Sequence, residues 1–371
     1  MRVAMLSAAP VNAHGWGRHT RDLVAALAAQ NVAITLITTR DAPAKPDLPL
    51  AAYHRILPSV TPAPRFSTLR LLAAIPAVYR VCAGHNVVHV LAEPYALALP
   101  FAQHSVVTAH GTYLPRTLAR PGVGLLYRRI YHKSRIICVS SYTERQVQSA
   151  LPSARTVAIP NGVDVARFRQ PGQPPARRGP TVLAVGQLKA RKGYHVLAKA
   201  MRYVRDAIPD AEAVFIGSDA DGAYCDSLRA QLIADGLTEA VHILGRVPDD
   251  VLLGWYHAAD VFALPALNVD GGFEGFGLVY LEASAAGLPV VGTRDCGAED
   301  AIRDGETGFL VPQNDPQATA QALIRLLQDT DLRARMGAAG TAWAQQNTWD
   351  QVARRVMEVY VSLSPARQRR D

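Results

Sequence analysis

The chain has 371 residues and a mass of 40.0 kDa, too long for one ordinary core and comfortable for two domains of about 150–200 residues each. With 49% hydrophobic and 19% charged residues it is neither disordered, coiled-coil nor collagen-like. The net charge of +8 is unevenly placed: residues 1–180 hold 21 Lys and Arg against 6 Asp and Glu, whereas the other 191 residues hold 18 against 25, so the two halves are expected to face different partners.

Apolar runs of strand length alternate with longer helical patterns along the chain. The opening residues 2–7 read as a first buried strand; their apolar stretch is too short for a signal peptide, and Pro10 follows at once. A periodic helix over 20–29 and strands over 32–38, 87–91, 105–109 and 135–140 come next, with an apolar helical segment at 69–81 that Pro76 is expected to kink or end. Continuous apolar strands separated by helices indicate a parallel sheet covered on both faces. Residues 169–180, with four prolines and two glycines, read as an interdomain linker. The rhythm then restarts, with strands over 181–186, 211–217, 241–244, 261–264 and 288–292 and helices over 195–205 and 227–235. The predicted organisation is a first domain over 1–168, the linker, a second domain over 181–350, and a last helix within 351–371 that packs back on the first domain. The fold class is α/β, two Rossmann-like doubly wound domains facing each other across a cleft, with ligands at the carboxyl ends of both sheets. No stretch approaches the ~18 uninterrupted apolar residues of a spanning helix. Cys82, Cys138, Cys225 and Cys296 are widely spaced without a C-x-x-C pair, which suits reduced thiols in a cytosolic protein and argues against zinc.

The most informative stretch runs Glu274-Gly275-Phe276-Gly277-Leu278-Val279-Tyr280-Leu281-Glu282 and continues through Ala285-Ala286-Gly287-Leu288-Pro289-Val290-Val291. A glycine-bearing loop opens a helix of small and apolar residues, and a glycine stop leads into a buried strand. The free N–H groups and positive dipole end at that helix start suit a diphosphate. Glu274 sits before the helix and Glu282 two turns along; at 1.5 Å per residue the eight positions span about 12 Å, enough for one carboxylate to hold sugar hydroxyls and the other a ribose. Taken alone, Glu274 could equally be a helix-capping carboxylate.

With these flanks the chain resembles the family-4 retaining glycosyltransferases of GT-B fold, over almost its whole length. Further matching stretches are His110-Gly111-Thr112, Val139-Ser140-Ser141-Tyr142-Thr143, Ile159-Pro160-Asn161-Gly162-Val163-Asp164, Val185-Gly186-Gln187-Leu188 with Arg191-Lys192-Gly193, Leu244-Gly245-Arg246-Val247, and Asp304-Gly305-Glu306-Thr307-Gly308. The resemblance implies a second domain that binds a nucleotide-sugar and a first that binds the acceptor. It implies Glu274 on the donor sugar, Glu282 on the ribose and Lys192 on the diphosphate. The same cradle would include the backbone around Phe276, Gly277, Leu278 and Val279, and the segment Arg246–Val247 would lie near the base. Gly15-Trp16-Gly17 looks like the family's glycine loop, and His110 occupies the place of a functional histidine close to the reacting sugar, though the residue by itself could be an ordinary loop histidine. Gln187 departs from the family, which usually has arginine there; an amide can donate to phosphate but brings no charge, and Lys189, Arg191 and Arg18 are candidates to compensate. His14, Glu93, Tyr95, Tyr113 and Arg116 are candidates for acceptor binding, with His14 and His19 read as loop residues and His89 as a packed strand histidine.

The implied activity is retaining, metal-independent transfer of a hexose from a nucleotide-diphosphate sugar to an acceptor hydroxyl, in polysaccharide or glycolipid assembly, with no cofactor. A soluble small-molecule or sugar-phosphate acceptor is the alternative within the same chemistry. Asp219-Ala220-Asp221 mimics the metal-binding D-x-D of the unrelated GT-A glycosyltransferases but occupies a loop where the family has glycine and polar residues. A Rossmann-type NAD(P) oxidoreductase is the reading from a different class. It is weakened because Gly15-Trp16-Gly17 continues to Thr20 rather than glycine, and the second strand runs into Thr38-Thr39-Arg40 without an acidic residue. Nucleic acid is not an expected partner, since the basic residues lack interleaved aromatics or a known module. Instead Arg65, Arg70 and Arg80 accompany an apolar segment, and Arg116, Arg120, Arg128, Arg129, Lys133 and Arg135 interleave with Leu125, Leu126, Tyr127, Ile130 and Tyr131. That pattern fits either a solvated face in an arginine-rich half or an anionic surface: the inner leaflet of a membrane, or an anionic lipid-linked acceptor. The expected location is cytoplasmic, peripheral on that leaflet.

Overall fold

All pairings between the strands are parallel in the computed structural model, which describes residues 1–11, 15–60, 67–99, 104–173, 175–219 and 222–363. The chain divides into one unit formed by Met1–Asn161 with Trp349–Asp371 and a second formed by Gly162–Thr348.

The first unit holds β1 (Arg2–Leu6), β2 (Ala33–Thr39), β3 (Ala52–Leu57), β4 (Val87–Val90), β5 (Ser105–Ala109), β6 (Arg135–Cys138) and β7 (Arg155–Ala158), in the order β3-β2-β1-β4-β5-β6-β7. Val3, Ala4, Met5 and Leu6 are wholly buried in the middle of this sheet, as expected of a strand covered on both faces. The order reverses between β1 and β4, where open α/β sheets leave a crevice at their carboxyl ends. The expected kink at Pro76 does not end the helix: Ser67–Cys82 is continuous through it. Leu71, Ala74 and Val78 anchor its buried face, while Pro76 lies on the exposed side.

The helix Trp349–Leu363 belongs to this unit and buries Trp349, Val352, Ala353, Val356, Val359 and Tyr360, the stripe of an amphipathic helix. The Tyr360 hydroxyl lies 2.6 Å from His89 Nδ1, and Thr108 Oγ1 lies 2.8 Å from His89 Nε2. His89 is thus the packed strand histidine read from its apolar flanks. Its burial pushes the imidazole pKa down to about 3, reinforced by His110, so the ring is neutral and both its nitrogens are partnered.

The second unit holds β8 (Thr181–Val185), β9 (Glu212–Ile216), β10 (Val241–Gly245), β11 (Val261–Ala263), β12 (Val290–Thr293) and β13 (Gly308–Val311), in the order β10-β9-β8-β11-β12-β13. This is the doubly wound order with its switch point between β8 and β11. The 169–180 stretch differs from the expected linker because the structure places it inside this unit. Gln173 N–H donates to Asp250 O at 3.0 Å, Gly172 lies so close to Gly254 that a Cβ would collide with its backbone, and Asp260 accepts from Arg177 and, at 2.8 Å, from Thr181 N–H. Gln173 and Arg177 thus tie the stretch to Asp250 and Asp260 of the domain beneath. Three strands without a sequence forecast, β3, β7 and β13, are all sheet edges, where one side is unpaired and an unbroken apolar run is not required.

Replacing Tyr360 by Phe removes a partner from a fully buried imidazole nitrogen. We expect Tyr360→Phe to cost about 1–3 kcal/mol, read as a lower urea midpoint. An unchanged midpoint would show that the His89–Tyr360 bond does not hold the last helix.

Candidate functional site

In the second unit the site grows from the carboxyl ends of β8 and β11. After Val185 the chain turns at Gly186, passes Gln187 and Leu188, and enters a short 3-10 turn, Ala190–Lys192, that presents Lys189, Arg191 and Lys192. Gly193 closes the turn in the left-handed region at φ +71°, and a Cβ there would collide with the Pro265 carbonyl. Only glycine meets both demands. The helix Tyr194–Ala207 follows, with Tyr194 hydroxyl donating back to Gly186 O at 2.7 Å. Facing this turn is the loop that leads into the helix Leu278–Ala285. Gly277 forms its N-cap at φ +81°, where a Cβ would strike the Tyr280 ring, and Gly297 N–H pins the loop by donating to Glu274 O at 2.8 Å.

These two segments meet at Glu274, which is 7% exposed. Lys192 Nζ donates to Glu274 Oε2 at 2.5 Å and Arg191 Nη1 donates to the same oxygen at 3.1 Å; the same guanidinium nitrogen also donates to Phe273 O at 3.1 Å. Burial alone would raise this carboxyl, but Lys192 and Arg191 more than offset it and hold the pKa down at about 2. Lys189 Nζ donates to Gln187 Oε1 at 2.8 Å instead of to a carboxylate. Glu282, on the second turn of the helix, is 4% exposed and accepts from Tyr256 hydroxyl at 3.1 Å. The 12 Å spacing inferred from helical rise needs correction, because the helix starts only at Leu278 and residues 274–277 are a loop; helical rise governs just the last part of the interval. Phe276 and Val279 are buried beside the loop and Leu278 is half-buried. Arg246 is exposed and Val247 half-buried just after β10, at the sheet edge two strands from β8.

A second cluster lies at the switch point of the first unit. His110 follows β5 directly, and its Nε2 lies 2.7 Å from Leu91 O. A carbonyl only accepts, so Nε2 carries the proton and Nδ1 the lone pair. Burial pushes His110 down to about 4, so the ring is neutral at pH 7. Glu93 is wholly buried, and its Oε1 accepts from His110 N–H at 2.7 Å. Burial raises Glu93 to about 7, with hydrogen bonds from its own backbone and that of His110 and the Trp16 side chain pulling the other way. The carboxyl therefore braces the His110 turn from behind. Tyr95 is likewise buried, at 2%, so Glu93 and Tyr95 do not present the accessible contacts expected for an acceptor. Tyr113 is half-buried with its ring 4.6 Å from that of Trp16, and Arg116 is exposed.

Gly15, Trp16 and Gly17 open the helix Gly15–Ala29 instead of lying in a loop, and a Cβ on Gly17 would collide with the Val11 and Ala9 carbonyls. His19 is a helix residue, not the loop residue expected: it is 4% exposed, with its ring 4.5 Å from His110 and 5.3 Å from Trp349, edge-on to both. Burial, then His110 and His89, hold its pKa well below the ordinary value. His14, and the Ala220-Asp221 part of the D-x-D stretch, lie outside the described residues. Sequence reasoning missed Tyr256, which carries no motif of its own. It also missed the link from Trp16 through Glu93 to His110, which joins residues 17 or more positions apart.

The family model described as "Glycosyl transferases group 1" matches residues 167–343, and the one described as "Glycosyltransferase Family 4" matches residues 13–167. The chain is 34% identical over 340 residues to a phosphatidyl-myo-inositol mannosyltransferase of Mycobacterium leprae, covering 87% of each chain. It is 34% identical over 295 residues to a GDP-mannose-dependent alpha-(1-6)-phosphatidylinositol monomannoside mannosyltransferase of Mycolicibacterium smegmatis, covering 75% of this chain and 76% of that protein. Among solved structures, a sucrose-phosphate synthase from Thermosynechococcus elongatus superposes with a TM-score of 0.81 at 24% identity, over 98% of this chain and 99% of that one.

The depressed Glu274 carboxyl makes a stability prediction. An acid whose folded pKa lies below its ordinary value of 4.5 stabilises the fold above that value and loses the contribution as pH falls towards about 2. The stability advantage of wild type over Glu274→Gln should therefore shrink by about 3 kcal/mol between about pH 5 and about pH 2. Chemical denaturation at several pH values measures it, and a pH-independent difference would mean the ion pairs do not set the ionisation of Glu274.

Proposed function

The chain belongs to the family-4 glycosyltransferases and has the GT-B fold; on that premise we propose that it moves mannose from GDP-mannose, with retention, to a hydroxyl of a lipid-anchored inositol-type acceptor. The printed activities of the mannosyltransferase relatives support the choice of donor and acceptor. The observation that carries the transferase site is the ionised Glu274 held between Lys192 and Arg191.

In this reading the second unit binds the donor. Both cationic bonds fall on Glu274 Oε2, and the carboxylate offers Oε1 to hydroxyls of the donor sugar. Lys192 and Arg191 lie beside the leaving diphosphate and stabilise the charge that grows on it, while the first N–H groups of the helix Leu278–Ala285 add a positive dipole end. Glu282 takes the ribose, and Arg246 and Val247 border the base. The acceptor hydroxyl attacks from the face that the diphosphate leaves, and a diphosphate oxygen takes its proton, so the protein acts by positioning and by charge stabilisation. His110 offers a neutral ring whose Nδ1 can accept from a sugar hydroxyl.

The first unit takes the acceptor, with Tyr113 and Arg116 beside it. The helix Val123–Lys133 turns Gly124, Tyr127 and Tyr131 inward and leaves Leu125 71% and Leu126 45% exposed beside exposed Arg128, Arg129 and Lys133. Tyr127 hydroxyl donates to Pro94 O at 3.0 Å and Tyr131 hydroxyl to Glu93 O at 3.3 Å, tying this helix to the turn that braces His110. Exposed leucines among cations suit an anionic bilayer, at about 1 kcal/mol per cation near the surface. No helix among the described residues is long and apolar enough to cross a membrane. Docking through this helix would bring a lipid headgroup to the turn without a spanning segment.

Three experiments test the reading. With a panel of GDP-, UDP- and ADP-sugars, GDP-mannose should give the largest thermal stabilisation. Glu274→Ala should abolish transfer, whereas Glu282→Ala should mainly raise the donor KM; wild-type kcat/KM in both variants would overturn the site. Co-sedimentation with liposomes of rising anionic-lipid content should show increasing binding that falls when Arg128, Arg129 and Lys133 become Ser. Binding indifferent to lipid charge, together with transfer to a soluble inositol phosphate, would place the acceptor in solution instead.

A further inference from the structure

Three cations, Lys189, Arg191 and Lys192, gather on one turn, and one carboxylate, Glu274, faces them. Lys192 and Arg191 both bond to it. Lys189 does not: its ammonium is held by the neutral amide of Gln187, at 2.8 Å from Oε1. An ammonium has no acceptor to offer, so the amide atom turned towards it is the oxygen, and the two amide N–H donors of Gln187 point away from Lys189. The result is a half-buried positive charge in a turn that already has an excess of cations. Such a charge is costly to desolvate unless an anion arrives. The groups that face it are Arg191 and Lys192 on its own turn and Glu274 on the loop ahead of the helix Leu278–Ala285. Across the backbone bridge Leu188–Asp219 lies the loop after β9, which carries Asp219. Burial, then Arg191 and Lys192, lower Lys189 to about 8, with Glu274 opposing.

We propose that Lys189, steadied by Gln187, is a cation for the donor diphosphate: the Gln187 amide donates to a phosphate oxygen through Nε2 while the Lys189 ammonium supplies the charge that position 187 lacks. The assignment rests on the donor reading above. It explains why a neutral side chain is tolerated at 187, since the amide serves as an adaptor that both holds the ammonium and hydrogen-bonds the anion. It also gives the site a characteristic pH dependence. Below about pH 8 the ammonium is charged in the empty protein and ready for the anion; above it, diphosphate binding must take up a proton, so affinity falls as pH rises.

The test measures GDP and GMP binding calorimetrically at about pH 7 and about pH 9, with the donor KM followed alongside. Lys189→Gln should weaken GDP binding about tenfold or more at about pH 7, the scale of one hydrogen bond to a charged group, while changing GMP binding by less than about threefold. Wild-type GDP affinity should drop between the two pH values, and Lys189→Arg should remove that drop because a guanidinium stays protonated. Adding Gln187→Arg to Lys189→Gln should recover most of the lost GDP affinity, a rescue that a purely structural lysine would not allow. The proposal is overturned if Lys189→Gln binds GDP as wild type does while Lys192→Gln does not, and the donor reading then stands. If wild type binds neither GDP, UDP nor ADP, the donor reading itself fails.

Discussion

A carboxylate with 7% of its surface exposed stays ionised in this protein because an ammonium and a guanidinium converge on one of its oxygens. Much of the second unit can be understood as the scaffold for that encounter. The cations come from a turn that β8 can feed only by bending at Gly186 and closing at Gly193, whose backbone lies against Pro265. The carboxylate comes from a loop that can enter its helix only through the left-handed Gly277. Gly297 N–H, Tyr194 hydroxyl and Tyr280 hydroxyl then fasten the two loops to the strand ends by bonds to Glu274 O, Gly186 O and Leu264 O. Removing the carboxylate would leave two cations facing each other. Removing one cation would leave the buried carboxylate with a single partner, and removing both would leave a buried charge with none, the costlier situation inside a protein.

The first unit uses burial in the opposite sense. His19, His89 and His110 are all driven towards the neutral form by desolvation, and His110 adds to the effect on the other two. Burial also raises Glu93 to about 7. The outcome is a cluster with little fixed charge, in which His110 has a defined tautomer set by Leu91 O and a turn braced by Glu93. One unit therefore concentrates charge around Glu274, Arg191 and Lys192, and the other suppresses it around His110. The uneven charge of the two halves is a surface property laid over this internal division. Exposed arginines and lysine on the helix Val123–Lys133 make the first unit basic outside, while its core histidines stay neutral.

Much of this was legible in the residue order. The interior strands are continuous apolar runs because both their faces are covered, so β1, β2, β4, β5, β6, β8, β9, β11 and β12 announce themselves. Loop glycines flanking Glu274 and Lys192 mark places where the backbone must turn sharply, and such demands are local and leave a local signature. Edge strands β3, β7 and β13 are quieter, because an edge needs no unbroken apolar run. The continuity of the helix through Pro76 was hidden for a different reason: local propensity argues for a break, and only the packing of Leu71, Ala74 and Val78 overrides it.

The sequence by itself determined the α/β architecture, the repeated strand–helix rhythm and the residue types at the candidate site, since each follows from periodicity or from backbone demands within a few neighbouring positions. Tertiary structure alone decided which of those side chains meet. Glu93 turns inward to brace His110 rather than outward to a ligand, and Tyr256 finds Glu282 across 26 positions. The proline-rich stretch is bound to Asp250 and Asp260 through Gln173 and Arg177, and Lys189 settles on an amide while its two neighbours take the carboxylate. Ionisation belongs to this second category as well. Whether a carboxyl stands at about 2, as Glu274 does, or at about 7, as Glu93 does, depends on how burial and neighbouring charge balance in space, and distant parts of the chain supply both.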